Sequence, residues 1–291
     1  MQIDALHKRD GVLDRSLAIL SAFHGDLELT LTEITHRVDL PKSTVHRLTS
    51  VLSERGLLRW TGAGYRLGLR LFEVGNQRSD VHELIRAAQP YLRDLAESTR
   101  GAVNLSIPEG QDALYVSCLT RRGTPPCAAN TGSRIPLHLT AAGKSILAFS
   151  DPAVIRAYLS KRLERRTPYT VVQPIRVLHS LDRIREERVC LEREELLIGL
   201  ASVAAPVVMG TWLVGAISIS ESSTWFNRHN ADLVQVAARR LGADLEFCSS
   251  SQGGHAWPWL RAIPVNTAMV LPGKVPPIVG DRRRGSAEAR A

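Results

Sequence analysis

Between residues 12 and 67 the apolar positions fall first at helical spacing and then at strand spacing. Val12, Leu13, Leu17, Ile19, Leu20 and Phe23 suit a helix ended by Gly25 and Asp26 and packed behind the two helices after it. Thr30 and Glu33 have the spacing of a capping box, which predicts a helix over 31–38. Pro41 fits the first position of a second helix, where a missing N–H costs nothing, and Gly56 fits the left-handed residue that closes it. Along that helix Val45, Leu48 and Leu52 make one apolar stripe, so Lys42, Ser43, Thr44, His46, Arg47 and Ser50 face the other way. Leu57, Leu58 and Trp60 are β-prone, 61–64 is a Gly-rich turn and 65–67 a second short run, which predicts a hairpin. Two short helices with a tight turn, joined at once to a hairpin, are the layout of a winged helix. Hydroxyls and cations with no acid before Glu54 suit phosphates and base edges in a major groove. A plain solvated face of a helical bundle would read the same way from spacing alone.

The rest of the chain changes period several times. A helical pattern at 69–74 precedes a long one at 80–99, where Val81, Leu84, Ile85, Ala88, Leu92 and Leu95 share a face and Pro90 should bend or break the helix. Residues 103–107 and 113–120 alternate about a turn at 109–112, predicting a hairpin, and 121–133 reads as loop. Helices are expected at 140–149, after the Asp151 cap with Pro152 in first position, at 180–189 and at 227–247; 200–208 and 212–220 are apolar strands. Paired strands with interspersed helices predict an α+β domain with an antiparallel sheet.

Composition narrows the function classes. With 291 residues, 44% of them hydrophobic and 23% charged, the chain has room for two domains. No apolar run is long enough for a membrane span and residues 1–10 are too polar for a signal peptide, so a cytoplasmic protein with no membrane partner is expected. Cys118, Cys127, Cys190 and Cys248 form no CxxC pair and no zinc spacing with histidine; no metal or cofactor is expected, and the thiols read as small buried hydrophobes. The net charge of +8 is less informative than it looks. Residues 1–76 hold 10 Lys and Arg against 9 Asp and Glu, whereas 250–291 hold 6 against 2, with five prolines and Arg282, Arg283 and Arg284. Half the surplus therefore lies in a tail that reads as disordered, as do residues 1–9. Phosphate contact must come from local placement of Lys42, Arg47, Arg59 and Arg66.

Three ordered motifs, DRSLAIL at 14–20, LPKSTVHRL at 40–48 and GYRLG at 64–68, together resemble the isocitrate-lyase-regulator (IclR) family of bacterial transcription factors. The resemblance implies an α+β protein in which an N-terminal winged helix-turn-helix domain is joined by a linker helix to a C-terminal GAF/PAS-like effector-binding domain. The expected boundaries are a reader at 1–76, a linker at 77–100, an effector-binding and oligomerisation domain at 101–249 and a basic tail at 250–291. In similar proteins the helices near the linker pair two subunits.

AAGKS at 141–145 suggests the end of a phosphate loop, but that motif needs Gly five residues before Gly143, where this chain has His138. No GxSxG, HExxH or paired Cys/His pattern occurs, so an enzyme is not expected. PLHLTAAGKSIL at 136–147 is instead similar to the family's pocket segment, where free amides at a helix start hold a carboxylate. The resemblance carries that role to Ala141 and Ala142, and pocket roles to Glu192 (where Asp is common), Ser202 (where the family has Cys), Ser218 and Ser220. The period of two puts the last pair on one strand face. The expected partners are operator DNA, a small organic acid and further copies of the chain, as dimer or tetramer. Repressor is the commoner family role and activator stays open. The contrasting readings are a sensor acting through protein partners and an enzyme acting on the effector.

Overall fold

The computed structural model describes residues 11–23, 26–77, 79–120 and 129–251. The readings of a frayed start at 1–9, a helix end at Gly25, a loop at 121–128 with Cys127, and a basic tail from residue 252 lie outside these residues. The chain divides into two compact units, Met1–Ser79 and Asp80–Ala291.

In the first unit α1 (Val12–Ser21), α2 (Leu31–Val38) and α3 (Lys42–Glu54) precede β1 (Leu58–Trp60), β2 (Tyr65–Leu67) and α4 (Leu69–Gly75). The capping box forms: the Glu33 amide donates to Thr30 Oγ1 at 3.3 Å and the Thr30 amide to Glu33 Oε2 at 2.7 Å. Pro41 sits one residue earlier than expected, at the N-cap of α3, and Gly56 follows its end at φ +71°. β1 and β2 form an antiparallel wing, extended by a bridge between Leu29 and Tyr65. Gly68 is required by close approach, since a Cβ there would lie 1.9 Å from the Gly56 carbonyl oxygen. Ile19, Phe23, Ile34, Val45, Leu48 and Leu58 are among the core residues. The apolar face expected of the first helix is only partly used. Ile19, Ala22 and Phe23 are buried, but Val12, Leu13 and Leu17 are exposed, as are Leu69, Phe72 and Val74 of α4. Helical geometry turns those positions away from the one small core available to them.

The second unit is a six-stranded antiparallel sheet in the order β5-β4-β3-β8-β7-β6, with helices on both faces. Its strands are β3 (Ala102–Glu109), β4 (Asp112–Leu119), β5 (Arg134–Pro136), β6 (Cys190–Arg193), β7 (Leu200–Met209) and β8 (Trp212–Ser222). One face packs Val203, Val207, Ile217 and Ile219 against α5 (Ser79–Ser98) and α9 (Asn230–Ser251). The other packs Ala204 and Ala216 against α6 (Ala141–Ala148), α7 (Pro152–Leu159) and α8 (Pro174–Glu187).

The segment between α7 and α8 is tied to the β6–β7 loop, through Thr167 and Thr170 hydroxyls that donate to its carbonyls. Several expectations shift in this unit. Helix α5 runs unbroken through Pro90, which lies on the exposed side, where water can satisfy the carbonyl that loses its donor. Helix α8 begins at Pro174, six residues before the expected start, because Pro again takes the first helical position and Val177 reaches the core. Helix α9 begins at Asn230, after a turn, instead of at 227. The short strands β5 and β6 are additions to the expected set; each has four residues or fewer, too few to display a period. Cys190 is buried, but Cys118 is half-buried and Cys248 exposed, so the thiols are not uniformly core residues.

Candidate functional site

Two surfaces gather the residues singled out by the sequence, one in each unit. On α3, Val45, Leu48 and Leu52 are buried, and Thr49 joins them, its hydroxyl bonded to the His46 carbonyl at 3.0 Å. Lys42, Ser43, His46 and Arg47 are exposed and Thr44 and Ser50 half-exposed. The Ser50 hydroxyl donates back to the His46 carbonyl at 2.9 Å, which leaves its oxygen to accept. No side chain caps the start of α3 and its first turn holds no acid, so its leading amides and Lys42 present a positive end.

The wing carries the two remaining cations. Arg59 and Arg66 pair directly across the hairpin, an arrangement that like charges disfavour. Glu28 relieves it. Its Oε2 accepts from Arg66 Nε at 2.7 Å and its Oε1 from the Thr61 hydroxyl at 2.8 Å. The Thr61 hydrogen bond, then Arg66, holds the Glu28 carboxyl below its ordinary value. Arg66 is thus tied down while Arg59 is exposed beside Trp60, whose ring meets that of Tyr65 edge-on at 4.9 Å between centroids.

In the second unit a small pocket opens between the start of α6 and the sheet. Ala141, Ala142, Ser202, Ser218 and Ser220 all line it, so five of the six residues expected to meet an effector come together. Thr140 caps α6 through a hydrogen bond from the Gly143 amide to its Oγ1 at 2.9 Å, and the Lys144 amide bonds to the Thr140 carbonyl. The amides ahead of these, on Ala141 and Ala142, are the ones a helix start offers to an anion. Gly143 is needed for packing, because a Cβ would fall 2.3 Å from the Leu137 carbonyl oxygen. The floor is polar: Ser202 and Ser220 hydroxyls lie 2.9 Å apart, and Asn104 Nδ2 stands 3.5 Å from Ser218 Oγ.

Glu192, the sixth residue, does not line the pocket; β6 carries it one strand farther out, in register with Ser202. It is 3% exposed and accepts the Glu195 amide N–H. Burial pushes its carboxyl up to about 7, against that hydrogen bond and the nearby Lys144. Lys144 is itself buried and bonded to Glu195 Oε1, while Glu195 Oε2 accepts the Val171 amide at 3.1 Å. Thr170 also donates to the Glu195 carbonyl at 2.6 Å. These bonds join α6, the β6–β7 loop and the segment between α7 and α8 behind the pocket.

His138 supplies a second tie. Its Nε2 meets the Glu164 carbonyl at 2.8 Å and its Nδ1 the Tyr158 hydroxyl at 2.7 Å. A carbonyl can only accept, so Nε2 carries the proton and Tyr158 donates to Nδ1. Burial lowers the His138 pKa and raises that of Tyr158 to about 12, and both stay neutral near pH 7.

Tyr115 and Leu196 on the lining, and the Lys144–Glu195 pair, are not among the residues the sequence singles out. Tyr115 and Leu196 give no signal, because a loop and the strand register bring them in only after folding. Lys144 stands in a stretch whose pattern speaks only to phosphate binding and to a helix start. Among the described residues no group of three or more His, Cys, Asp and Glu could hold a metal ion, and no helix is long and apolar enough to cross a membrane.

Residues 77–245 match the family model described as bacterial transcriptional regulator IclR C-terminal, and residues 12–62 the IclR helix-turn-helix domain. The chain is 30% identical over 250 residues to the HTH-type transcriptional regulator KdgR of Dickeya chrysanthemi, covering 83% of this chain and 79% of that protein. It is 30% identical over 247 residues to the HTH-type transcriptional repressor AllR of Escherichia coli K12, covering 80% and 89%. Among solved structures it is similar to an IclR homologue from Microbacterium hydrocarbonoxydans complexed with 4-hydroxybenzoate. That likeness has a TM-score of 0.74 at 25% identity, over 81% of this chain and all of the other.

Proposed function

The chain belongs to the IclR family of bacterial transcriptional regulators, and we propose that it is a repressor whose hold on an inverted-repeat operator is set by a small organic acid. A helix-turn-helix regulator of this family acts on DNA and is not an enzyme. Within that role, α3 is the reading helix. Thr44, His46, Arg47 and Ser50 address base edges, and Lys42, Ser43, Arg59 and Arg66 address phosphates. The observation that carries this is the division of α3 into a buried Val45, Leu48, Thr49 and Leu52 stripe and a more exposed face with no acid before Glu54, its last residue.

The effector reading rests on the pocket that unites Ala141, Ala142, Ser202, Ser218 and Ser220. A carboxylate at the α6 amides, with its remaining polar atoms on the serines, uses the polar groups gathered on that lining. The relative bound to 4-hydroxybenzoate supports an aromatic or aliphatic acid of that size. Exposed Val12, Leu13 and Leu17 on α1, and Leu69 and Phe72 on α4, support a homo-oligomer, dimer or tetramer, since exposed apolar side chains favour association. The working divisions are a reader at 1–76, a linker at 77–100, an effector domain at 101–249 and a tail at 250–291, in a cytoplasmic protein. Ligand acts by binding one arrangement of the paired readers better than another.

The test is a gel shift on the intergenic DNA beside the protein's own gene, with random competitor, followed by a screen of acetate, benzoate and 4-hydroxybenzoate. A shift that resists competitor and responds to an acid supports the proposal. Loss of the shift to competitor at every salt concentration favours a sensor that acts through protein partners.

A further inference from the structure

The pocket floor and the buried charges behind it form one continuous row. Glu192 pairs in register with Ser202, and Ser202 with Ser220, so all three side chains stand on the same face of the sheet. Both serines are inside the pocket, and Glu192 lies one strand spacing, about 5 Å, beyond them. Its carboxylate accepts the amide of Glu195, whose chain neighbour Leu196 is part of the lining.

The groups around Glu192 do not balance. Lys144 faces it from α6 and Glu195 from the β6–β7 loop, bonded to each other. Cys190 on its own strand is neutral, its thiol pushed up to about 12 by burial, and the exposed Arg183 of α8 acts on it only through its charge. His138, near Lys144 and Glu195, is neutral as well. From β7 and β8 its register neighbours are the uncharged Ser202 and Ser220. One lysine therefore answers two carboxylates, and an ionised Glu192 is the surplus charge where solvent barely reaches.

An acid entering the pocket meets the α6 amides and hydroxyls but, among the described lining residues, no cation. It brings a second negative charge near the surplus one. We infer that the pocket takes up a carboxylate together with a proton from solvent, which converts the Glu192 carboxylate to the neutral acid. The inference rests on reading this pocket as an organic-acid site. With Glu192 ionised, like charges two strand spacings apart, about 10 Å, at an effective dielectric near 20 weaken binding on the order of ten-fold. Protonation removes that opposition while leaving Glu192 an oxygen to accept the Glu195 amide.

The experiment is isothermal calorimetry of the full chain with acetate, benzoate and 4-hydroxybenzoate between about pH 5.5 and 8.5, with benzamide as an uncharged counterpart. Affinity for the acids is expected to be constant below about pH 6.5 and to fall at least ten-fold by pH 8.5, with benzamide unaffected. Calorimetry at pH 7.5 in two buffers of different ionisation heat should show proton uptake on acid binding. Glu192→Gln should bind acids with the acid-limit affinity at every pH. Acid binding without proton uptake, or a variant that keeps the decline, overturns the inference and leaves the pocket reading standing. If no acid binds wild type at any pH, the pocket reading falls and takes the inference with it. The buffer comparison uses wild-type protein alone, so it decides the matter even if the variant does not fold.

Discussion

Glu28 holds Arg66 across the base of the wing, Oε2 to Nε at 2.7 Å, and the same carboxylate anchors Thr61 at the turn. An acid so placed competes with DNA phosphate for the guanidinium. Glu28→Gln should release Arg66 and steepen the dependence of log affinity on log salt by about 0.9, one additional phosphate contact. Binding to random DNA measured across a salt series checks this; an unchanged slope means that Arg66 already meets phosphate or never does.

Reading and holding separate in the same kind of assay. Arg47→Ala or Thr44→Ala should cost roughly 1 to 3 kcal/mol on the selected operator and much less on random DNA, if each addresses a base edge. Competition titrations on both DNAs test this, and an equal loss reassigns the residue to the phosphate backbone.

Lys144 and Glu195 are both buried, and breaking such a pair from one side leaves an uncompensated charge. Lys144→Met should lower stability by about 3 to 5 kcal/mol, while Lys144→Met with Glu195→Gln should recover much of that loss. Urea denaturation of the wild type and both variants decides it. A double variant as unstable as the single one would show that the pair contributes packing and hydrogen bonds more than charge balance.

Glu192 gives stability a pH dependence of known sign. Its folded pKa of about 7 lies above the ordinary 4.5, so the folded chain binds the extra proton. The stabilisation is complete below about pH 4.5 and is lost as pH rises through 7, by a few kcal/mol at most. Glu192→Gln should remove this decline. His138, with a lowered pKa, acts in the opposite direction, but it is common to both proteins. The difference between their denaturation curves from pH 5 to 8 therefore isolates Glu192, and parallel curves would refute the assignment.

The reader is legible almost residue by residue, because caps, stripe and turn are local: Thr30 with Glu33, Val45 with Leu48, Gly56 at positive φ. Where packing decides, the pattern along the chain runs short. The apolar residues of α1 suggest one core face, yet Leu13 is 71% exposed, since periodicity does not say what a face meets. Within the pocket, Ala141, Ala142, Ser202, Ser218 and Ser220 are placed by resemblance, and the fold brings them together. The displacement of Glu192 to the next strand and the arrival of Tyr115 and Leu196 depend on register and on a loop path. Neither leaves a mark in the local sequence.

The alternation along β7 and β8 sorts two kinds of change. Ser202, Ala204, Ser218 and Ser220 look toward the pocket side, whereas Val203, Ala205, Ile217 and Ile219 hold the layer of α5 and α9. Exchanges at the even positions Ser202, Ser218 and Ser220 therefore alter the pocket lining, while the odd positions keep their packing against α5 and α9. Ser202 stands at one of those even positions, so exchanging it would change the pocket wall and leave the layer against α5 and α9 untouched.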